Sequence, residues 1–210
     1  MILVLDDNGH HSNFAPLSLT RPIADLRVGL LTNIERWKIL IPEAKIFFKT
    51  EEYLAKKYKN SPTGIIINSC ILPTKELAIA VANLKSDEML DSSSGWVARS
   101  GSAENVVCYD GAKLIVLEHR WDLYQKNAEV LDTDFSLITE GRISQQLSSS
   151  NTIIGNPTKI FLEPGATVEA SILNTNDGPI YVGKDAEIME GCTVRGGLAM
   201  KEGSVLKMGS

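Results

Sequence analysis

The feature that most constrains this chain is a six-residue period near its C-terminal end. Apolar side chains recur at every sixth position, at Val182, Ile188, Val194, Met200 and Leu206. A period of six fits neither an α-helix nor one continuous strand, but it fits short strands that form the three flat faces of a coil. The period therefore predicts a left-handed parallel β-helix, and an antiparallel sheet with a chance period is the alternative.

A second row of small or apolar residues follows the first and predicts further inward-facing positions near the corners. Its members stand four residues after each repeat position, at Ala186, Cys192, Leu198, Ser204 and Ser210. An earlier stretch continues both rows, with Leu162 and Val168 in the first row and Ala166 and Ile172 in the second. Residues 174–179 shift the phase by two, which predicts a loop at a corner.

The last residue, Ser210, falls inside this repeat array. Solenoid ends normally carry a capping element, and an uncapped coil leaves an unpaired strand edge. We therefore expect the chain to be a truncated piece of a longer protein, with an incomplete β-helix.

The N-terminal part predicts an α/β domain with a parallel sheet. Strands are predicted at 2–5, 44–48 and 64–68, and the first and third are continuous apolar runs, which are typical of buried parallel strands. They alternate with helical patterns over 23–37, 51–58 and 75–84. Such alternation indicates parallel strands joined by crossover helices. Thr20 is the expected cap of the first helix, and Pro22 suits its first turn.

The middle of the chain predicts shorter elements. We expect a polar loop over 88–94, strands at 95–99, 106–109 and 113–117, and a helix over 121–131 that Asp122 caps. Asp110-Gly111 is a hairpin signal between the last two strands. Residues 147–151 are rich in serine and read as a linker. The predicted domains are an α/β domain at 1–146, a linker at 147–152 and a truncated β-helix at 153–210.

Composition and charge exclude several classes of protein. A net charge of -5 argues against a nucleic-acid-binding protein, although a few local cations suffice for a phosphorylated ligand. No apolar run reaches the roughly 18 residues of a membrane span. Three cysteines without paired spacing predict neither a disulfide framework nor a zinc site, which favours the reducing cytoplasm.

Hydroxyl and cationic side chains gather at the start of the first predicted helix. They are Ser18, Thr20, Arg21 and Arg27. A helix N-terminus attracts phosphate through its free N–H groups and its dipole, and arginine adds a bidentate fork. The alternative is a capped helix whose arginines pair with Asp25 or Glu35. The adjacent His10 and His11 are predicted to be solvated loop residues.

Several motifs make the chain recognisable. They are Leu-Asp-Asp at 5–7, Leu-Thr-Arg-Pro-Ile-Ala-Asp-Leu-Arg-Val-Gly at 19–29, Leu-Pro-Thr at 72–74, Trp-Asp-Leu at 121–123, Asp-Phe-Ser-Leu-Ile-Thr-Glu-Gly-Arg at 134–142, Ile-Leu-Asn-Thr at 172–175, Gly-Pro-Ile-Tyr-Val-Gly at 178–183 and Ile-Met-Glu-Gly-Cys-Thr-Val-Arg-Gly at 188–196. On these residues the chain resembles, over nearly its whole length, an alternative bacterial family of bifunctional N-acetylglucosamine-1-phosphate uridyltransferases and glucosamine-1-phosphate acetyltransferases, which are sugar nucleotidyltransferases.

The resemblance implies nucleotidyl transfer from a nucleoside triphosphate to a sugar phosphate, usually with Mg²⁺. It implies that Arg21 and Arg27 clamp the triphosphate, and that the substrate contacts include Ser18, Thr20, Asn68, Trp121 and Asp122. The product would be a nucleotide sugar, such as UDP-N-acetylglucosamine or a dTDP-sugar. The intact protein would be a homo-oligomer, a trimer as hexapeptide acyltransferases typically are, and would serve cell-envelope biosynthesis.

Two departures from the nucleotidyltransferase pattern leave two functions open for the N-terminal domain. The chain has Asp6-Asp7-Asn8-Gly9 in place of a G-x-G-T-R loop, and Asn68-Ser69 where a metal-binding aspartate is expected. Asp6, Asp7 or Asp110 would then have to hold the metal. One reading is an active enzyme whose acetyltransferase part is incomplete in this chain. The other is a non-catalytic domain that binds a nucleotide sugar or supports assembly.

Overall fold

The computed structural model describes residues 1–210, which form two compact units. The first unit contains residues 1–27 and 31–125, and the second contains residues 28–30 and 126–210. The division thus falls between Gln125 and Lys126, and residues 126–146 belong with the repeats. None of the helices combines the length and the hydrophobicity that a membrane span requires.

The α-helices are α1 Asn33–Leu40, α2 Lys75–Ala82, α3 Asp122–Gln125 and α4 Asn127–Thr139. The strands are β1 Ile2–Asp6, β2 Arg27–Val28, β3 Leu31–Thr32, β4 Lys45–Lys49, β5 Ile65–Asn68, β6 Glu88–Ser92, β7 Gly95–Arg99, β8 Asn105–Cys108, β9 Thr152–Ile154, β10 Ile160–Leu162, β11 Thr167–Val168, β12 Ile172–Asn174, β13 Ile180–Val182, β14 Glu187–Ile188, β15 Thr193–Arg195, β16 Leu198–Met200 and β17 Val205–Leu206. Short 3₁₀ turns occupy His11–Phe14, Leu17–Thr20, Ile23–Asp25, Glu52–Leu54 and Pro157–Lys159.

The first unit is built on a six-stranded sheet with the order β4-β1-β5-β7-β6-β8. β1 pairs in parallel with both β4 and β5, so the carboxyl ends of these three strands meet at one edge. β7 runs antiparallel to β5 and β6, and the sheet is therefore mixed rather than wholly parallel. The apolar run of β1 is buried, as expected for a central strand that is covered on both faces.

The predicted helix over 23–37 is wrong in its first half. Two 3₁₀ turns and two short strands occupy 17–32, and α1 begins only at Asn33. Thr32, not Thr20, caps this helix. Its hydroxyl accepts a hydrogen bond from the Glu35 amide at 3.2 Å, and the Glu35 carboxylate accepts one from the Thr32 amide at 2.7 Å. This capping box satisfies two backbone amides that would otherwise lack a partner. The apolar spacing upstream of it reflects burial rather than helical structure.

Tertiary pairing also changed three shorter elements. The predicted loop over 88–94 contains strand β6, which lies between β7 and β8 and buries Leu90. Cross-strand packing on both sides overrides the weak strand propensity of this polar segment. The predicted strand over 113–117 forms only one bridge, between Ile71 and Val116, so Asp110-Gly111 is not a hairpin turn. The predicted helix over 121–131 is split into α3 and α4.

The second unit contains three parallel three-stranded sheets, β9-β12-β15, β10-β13-β16 and β11-β14-β17. Each sheet takes one strand from each of three successive passes of the chain, which is a β-helix-like arrangement. Val182 pairs with Met200 and Ile188 pairs with Leu206, each pair eighteen residues apart. Val182, Ile188, Val194 and Met200 are buried and Leu206 is partly buried against them, so the predicted row faces inward at these positions.

Two predicted inward positions are wrong, those of Ile172 and of the exposed Ser210. Ile172 is 40% exposed, whereas its neighbours Ser171 and Leu173 are buried. The first pass is longer than the second, because Leu162 pairs with Val182 twenty residues later, so a strict phase of six does not extend back to this strand. The Ser171 hydroxyl donates to a backbone carbonyl, that of Met189, at 3.0 Å and is satisfied inside the coil.

Residues outside the repeats are joined to this unit by specific hydrogen bonds. Within the segment predicted as a linker, the side-chain Nδ2 of Asn151 donates to the Val168 carbonyl at 2.7 Å. The Leu30 amide donates to the buried Asp134 carboxylate of α4 at 2.9 Å. Gly29 adopts φ +65°, and a Cβ there would lie 2.7 Å from that carboxylate, so the chain can approach α4 only with glycine at this position.

Candidate functional site

A recess of about 270 Å³ opens at the carboxyl ends of β1 and β4. We call it the carboxyl-edge recess, and its lining residues are Asp6, Asp7, Asn8, Gly9, His11, Lys49, Thr50, Glu51 and Arg99. In α/β sheets, ligands bind outside the carboxyl ends of parallel strands, because the loops there diverge and leave a crevice. This topology makes the recess the candidate functional site of the first unit.

Two cations converge on one buried carboxylate in the recess. The Oδ2 atom of Asp6 accepts a hydrogen bond from the Lys49 Nζ at 3.0 Å and lies 3.8 Å from an Nη atom of Arg99. The other oxygen accepts a hydrogen bond from the Asn8 amide at 2.8 Å. The side chains of Lys49 and Arg99 are 51% and 37% exposed, whereas that of Asp6 is only 7% exposed. Both cations are therefore accessible to a ligand while the carboxylate lies beneath them.

Asp7 holds the loop after β1 in place. Its Oδ2 atom accepts hydrogen bonds from the Thr50 hydroxyl at 2.5 Å and the His11 Nδ1 at 2.8 Å, and its Oδ1 atom accepts one from the Ile23 amide at 3.0 Å. Burial raises the pKa of Asp7 above its usual range, and the hydrogen bonds from Thr50 and His11 offset this rise only in part. The prediction that His11 is solvated is wrong, because its ring is buried between Asp7 and Tyr53.

The turn that follows Asp7 is pinned by an aromatic residue. Asn8 and Gly9 adopt φ +50° and +73°, which is the left-handed region. The Trp96 indole donates to the Asn8 side-chain oxygen at 3.2 Å, and the Arg99 guanidinium lies 5.0 Å from the centroid of the Trp96 ring. A rigid turn thus replaces the glycine-rich loop expected after strand one.

The predicted metal ligands do not form a site by themselves. No group of three or more His, Cys, Asp or Glu side chains is arranged to hold a metal ion. Both oxygens of Asp7 are engaged by donors of the loop, so Asp7 does not fit a metal ligand. Asp6 is the one predicted carboxylate that faces accessible cations at the recess.

The residues predicted to bind phosphate have other positions. Arg27 forms a bidentate pair with Glu35 at 2.8 and 3.3 Å, which is the structural alternative allowed by the sequence. The buried Ser18 hydroxyl donates to the His11 carbonyl at 2.8 Å. Thr20 and Arg21 are exposed, and no helix begins at this point, so the argument from a helix N-terminus is wrong. None of these four residues lines the carboxyl-edge recess.

The remaining predicted contacts serve mainly to order turns. The Asn68 side chain, at the end of β5, donates to the Trp96 carbonyl at 3.2 Å and accepts from the Cys70 amide at 3.0 Å. The Asp122 carboxylate accepts from the amides of Glu118 and His119 at 2.7 and 3.0 Å, so it secures the turn before α3. Trp121 is 47% exposed and stacks on the His119 ring, with 4.3 Å between centroids.

Sequence reasoning missed Lys49 and Arg99. Lys49 had a usable signal, because it directly follows the strand predicted at 44–48, as Asp6 follows the strand predicted at 2–5. Arg99 had none, because its position beside Asp6 depends on the antiparallel pairing of β7 with β5, in which Arg99 faces Ile66. Only the observed register brings the three charges together.

Comparison with known proteins identifies the family of the first unit. The sequence model of a family described as sugar nucleotidyl transferase matches residues 2–143. No curated protein matches the chain. The family match covers the whole sheet of the first unit, including the recess and every predicted site residue. Because it spans more than half of the 210 residues, this chain belongs to the sugar nucleotidyl transferase family.

Proposed function

We propose that the first unit catalyses transfer of a nucleotidyl group from a nucleoside triphosphate to a sugar 1-phosphate, with UTP or dTTP as donor. The observation that carries the proposal is the recess at the carboxyl edge of a family-matched sheet, where two accessible cations converge. Nucleotide sugars such as UDP-N-acetylglucosamine or a dTDP-sugar are the proposed products, and a cytoplasmic location is consistent with such soluble substrates.

In this reaction an oxygen of the sugar phosphate attacks the α-phosphorus of the triphosphate. The bond from that phosphorus to the oxygen bridging the α- and β-phosphates breaks, and pyrophosphate leaves with the electron pair. Negative charge accumulates on the leaving group, so the protein acts by positioning the phosphates and neutralising charge. Arg21, which is exposed, stays a proposed phosphate contact.

Mg²⁺ is proposed as the cofactor that arrives with the triphosphate. Mg²⁺ keeps several waters and is bound by one or two carboxylates together with substrate phosphates. Asp6 is the one predicted ligand that faces the accessible cations of the recess, but its oxygens are engaged by the Asn8 amide, Lys49 and Arg99, so the substrate phosphates would be the main ligands of the metal. When bound, the metal would supply additional neutralisation of the phosphate oxygens.

For the second unit we propose a left-handed hexapeptide β-helix of the acyltransferase kind, in a bifunctional protein that forms a trimer. The support is the eighteen-residue register of the last passes and the resemblance of the motifs at 172–196.

A non-catalytic nucleotide-sugar-binding domain is the second candidate function. Asn68 and Ser69 stand where a metal-binding aspartate is expected, and no three-ligand cluster is present. An amide and a hydroxyl are poor ligands for a hard cation in comparison with a carboxylate. This candidate predicts nucleotide or nucleotide-sugar binding without turnover.

The test is pyrophosphate release by the purified chain, with UTP or dTTP, N-acetylglucosamine 1-phosphate or glucose 1-phosphate, and Mg²⁺. Release that depends on both substrates supports the enzyme. Binding of UDP-N-acetylglucosamine in calorimetry without release supports the non-catalytic domain, and neither binding nor release contradicts both. Arg21→Ala should weaken nucleotide binding at unchanged thermal stability.

A further inference from the structure

We propose that Lys49 and Arg99 form a polyphosphate-binding pair supplied by two strands, and that Asp6 is its resident counterion rather than a metal ligand. The inference rests on the proposed function for its biological ligand, a nucleoside triphosphate or pyrophosphate. It assigns the phosphate subsite to the ends of β4 and β7 and not to the turn after β1.

The geometry of the two cations supports this assignment. The Lys49 Nζ makes one hydrogen bond, to Asp6, and its side chain is half exposed, so two of its three donors are free for a ligand. The Arg99 guanidinium is 3.8 Å from Asp6, which is too long for a hydrogen bond. Its Nε is buried and has no hydrogen-bond partner. The protein therefore leaves the donors of both cations largely unused.

The position of each cation is fixed by packing below it. Asp6 and Lys49 are in register on neighbouring parallel strands, so their side chains emerge on the same side of the sheet edge. The Arg99 guanidinium lies over the Trp96 ring, and the indole is itself held by Asn8. Arginine stacked on an aromatic face keeps its fork oriented while it exchanges one anion for another.

Asp6 is suited to act as a counterion because it is buried and each of its carboxylate oxygens accepts a hydrogen bond. One oxygen is taken by the Asn8 amide and the other by the two cations. The other titratable side chains that line the recess are those of Asp7, Glu51 and His11. Asp7 and His11 are paired with each other, and Glu51 is exposed at the rim. A phosphate oxygen thus competes mainly with Asp6 for the two cations.

The deciding experiment measures binding of inorganic pyrophosphate by calorimetry in the presence of a chelator, so that no metal contributes. Lys49→Ala should weaken binding about fivefold to fiftyfold, the range of one charge-assisted hydrogen bond at a partly exposed site. Lys45→Ala is the matched control, because Lys45 is an exposed lysine at the opposite end of the same strand. Equal effects of the two variants would overturn the proposal.

Asp6→Asn separates the counterion role from metal ligation. The amide keeps an acceptor for the Asn8 amide and removes the charge that competes with phosphate. Metal-free pyrophosphate binding should tighten about threefold or more, through loss of one like charge near the site. Asp132→Asn, which removes an exposed carboxylate paired with Lys159 at 3.7 Å, should leave binding unchanged. Unchanged or weaker binding by Asp6→Asn at wild-type thermal stability would refute the counterion role.

The two proposals fail in different ways. If the wild-type chain turns over but Lys49→Ala binds pyrophosphate normally, the enzyme stands and this phosphate subsite is refuted. If the chain does not turn over but Lys49→Ala and Asp6→Asn behave as expected, the subsite stands in a non-catalytic domain.

Discussion

Replacing Asp7 with alanine should destabilise the first unit more than any change to an exposed carboxylate. The substitution removes the acceptor for the Ile23 amide, the His11 Nδ1 and the Thr50 hydroxyl. Each buried donor left without a partner costs about 1–3 kcal/mol. Because the Thr50 hydroxyl can rotate towards water and the cost of burying the Asp7 carboxyl disappears, we expect a net loss of about 2–4 kcal/mol.

The assay is urea unfolding, with Asp132→Ala as the control for removal of an exposed carboxylate. We expect the control to change the free energy of unfolding by less than about 0.5 kcal/mol. A loss below about 1 kcal/mol for Asp7→Ala would refute the view that Asp7 is the structural anchor of this loop.

The pH dependence of Asp7→Asn tests the same reasoning through the sign of the pKa shift. Burial raises the pKa of Asp7 above 3.8, so at a pH above that value the folded chain retains a proton that the unfolded chain has lost. The stabilising contribution of Asp7 is thus complete below 3.8 and is lost as the pH rises through the folded pKa. The free energy of unfolding of the wild type should fall relative to Asp7→Asn as the pH rises above about 4. A difference that moves in the other direction would show that the anion is the favoured form.

The remaining predictions concern a glycine and an arginine of the 19–29 motif. Gly29→Ala should lower stability by more than about 2 kcal/mol in thermal unfolding, because it adds both a left-handed side chain and a clash with α4. Gly9→Ala, also at positive φ but with open space around it, should cost only about 1 kcal/mol, and equal losses would contradict the clash. Arg27→Ala breaks the exposed pair with Glu35, so it should cost less than about 1 kcal/mol and leave nucleotide affinity unchanged; a large loss of affinity would restore Arg27 to the phosphate site.

Much of the architecture was predictable because burial leaves a local trace. The apolar run of β1 and the spacing of Val182, Ile188 and Val194 report side chains removed from water, and these positions are buried in the structure. The apolar spacing upstream of α1 gave a wrong prediction of a helix, because Ile23 and Leu26 are buried but do not lie in an α-helix. The spacing of apolar residues indicates which side chains are buried, but it does not determine the backbone conformation of the segment.

The candidate site was predictable only in its location. Asp6 and Asp7 follow the first buried strand, and the carboxyl end of such a strand is where an α/β sheet binds ligands. Their roles were not predictable, because Asp7 is occupied by donors from Ile23, Thr50 and His11 that are distant or unremarkable in sequence. Arg27, which was predicted to be part of a phosphate clamp, forms an ion pair with Glu35, and the Glu35 carboxylate also caps α1.

The sequence by itself determined that the chain joins an α/β domain to a β-helix-like repeat, because both depend on periodic burial along a single segment. Tertiary structure alone decided that Lys49 and Arg99 meet at Asp6, because that convergence requires the parallel register of β1 with β4 and the antiparallel addition of β7. Strand order and register are set by long-range packing and hydrogen bonding between segments, and a local pattern of residues carries little information about either.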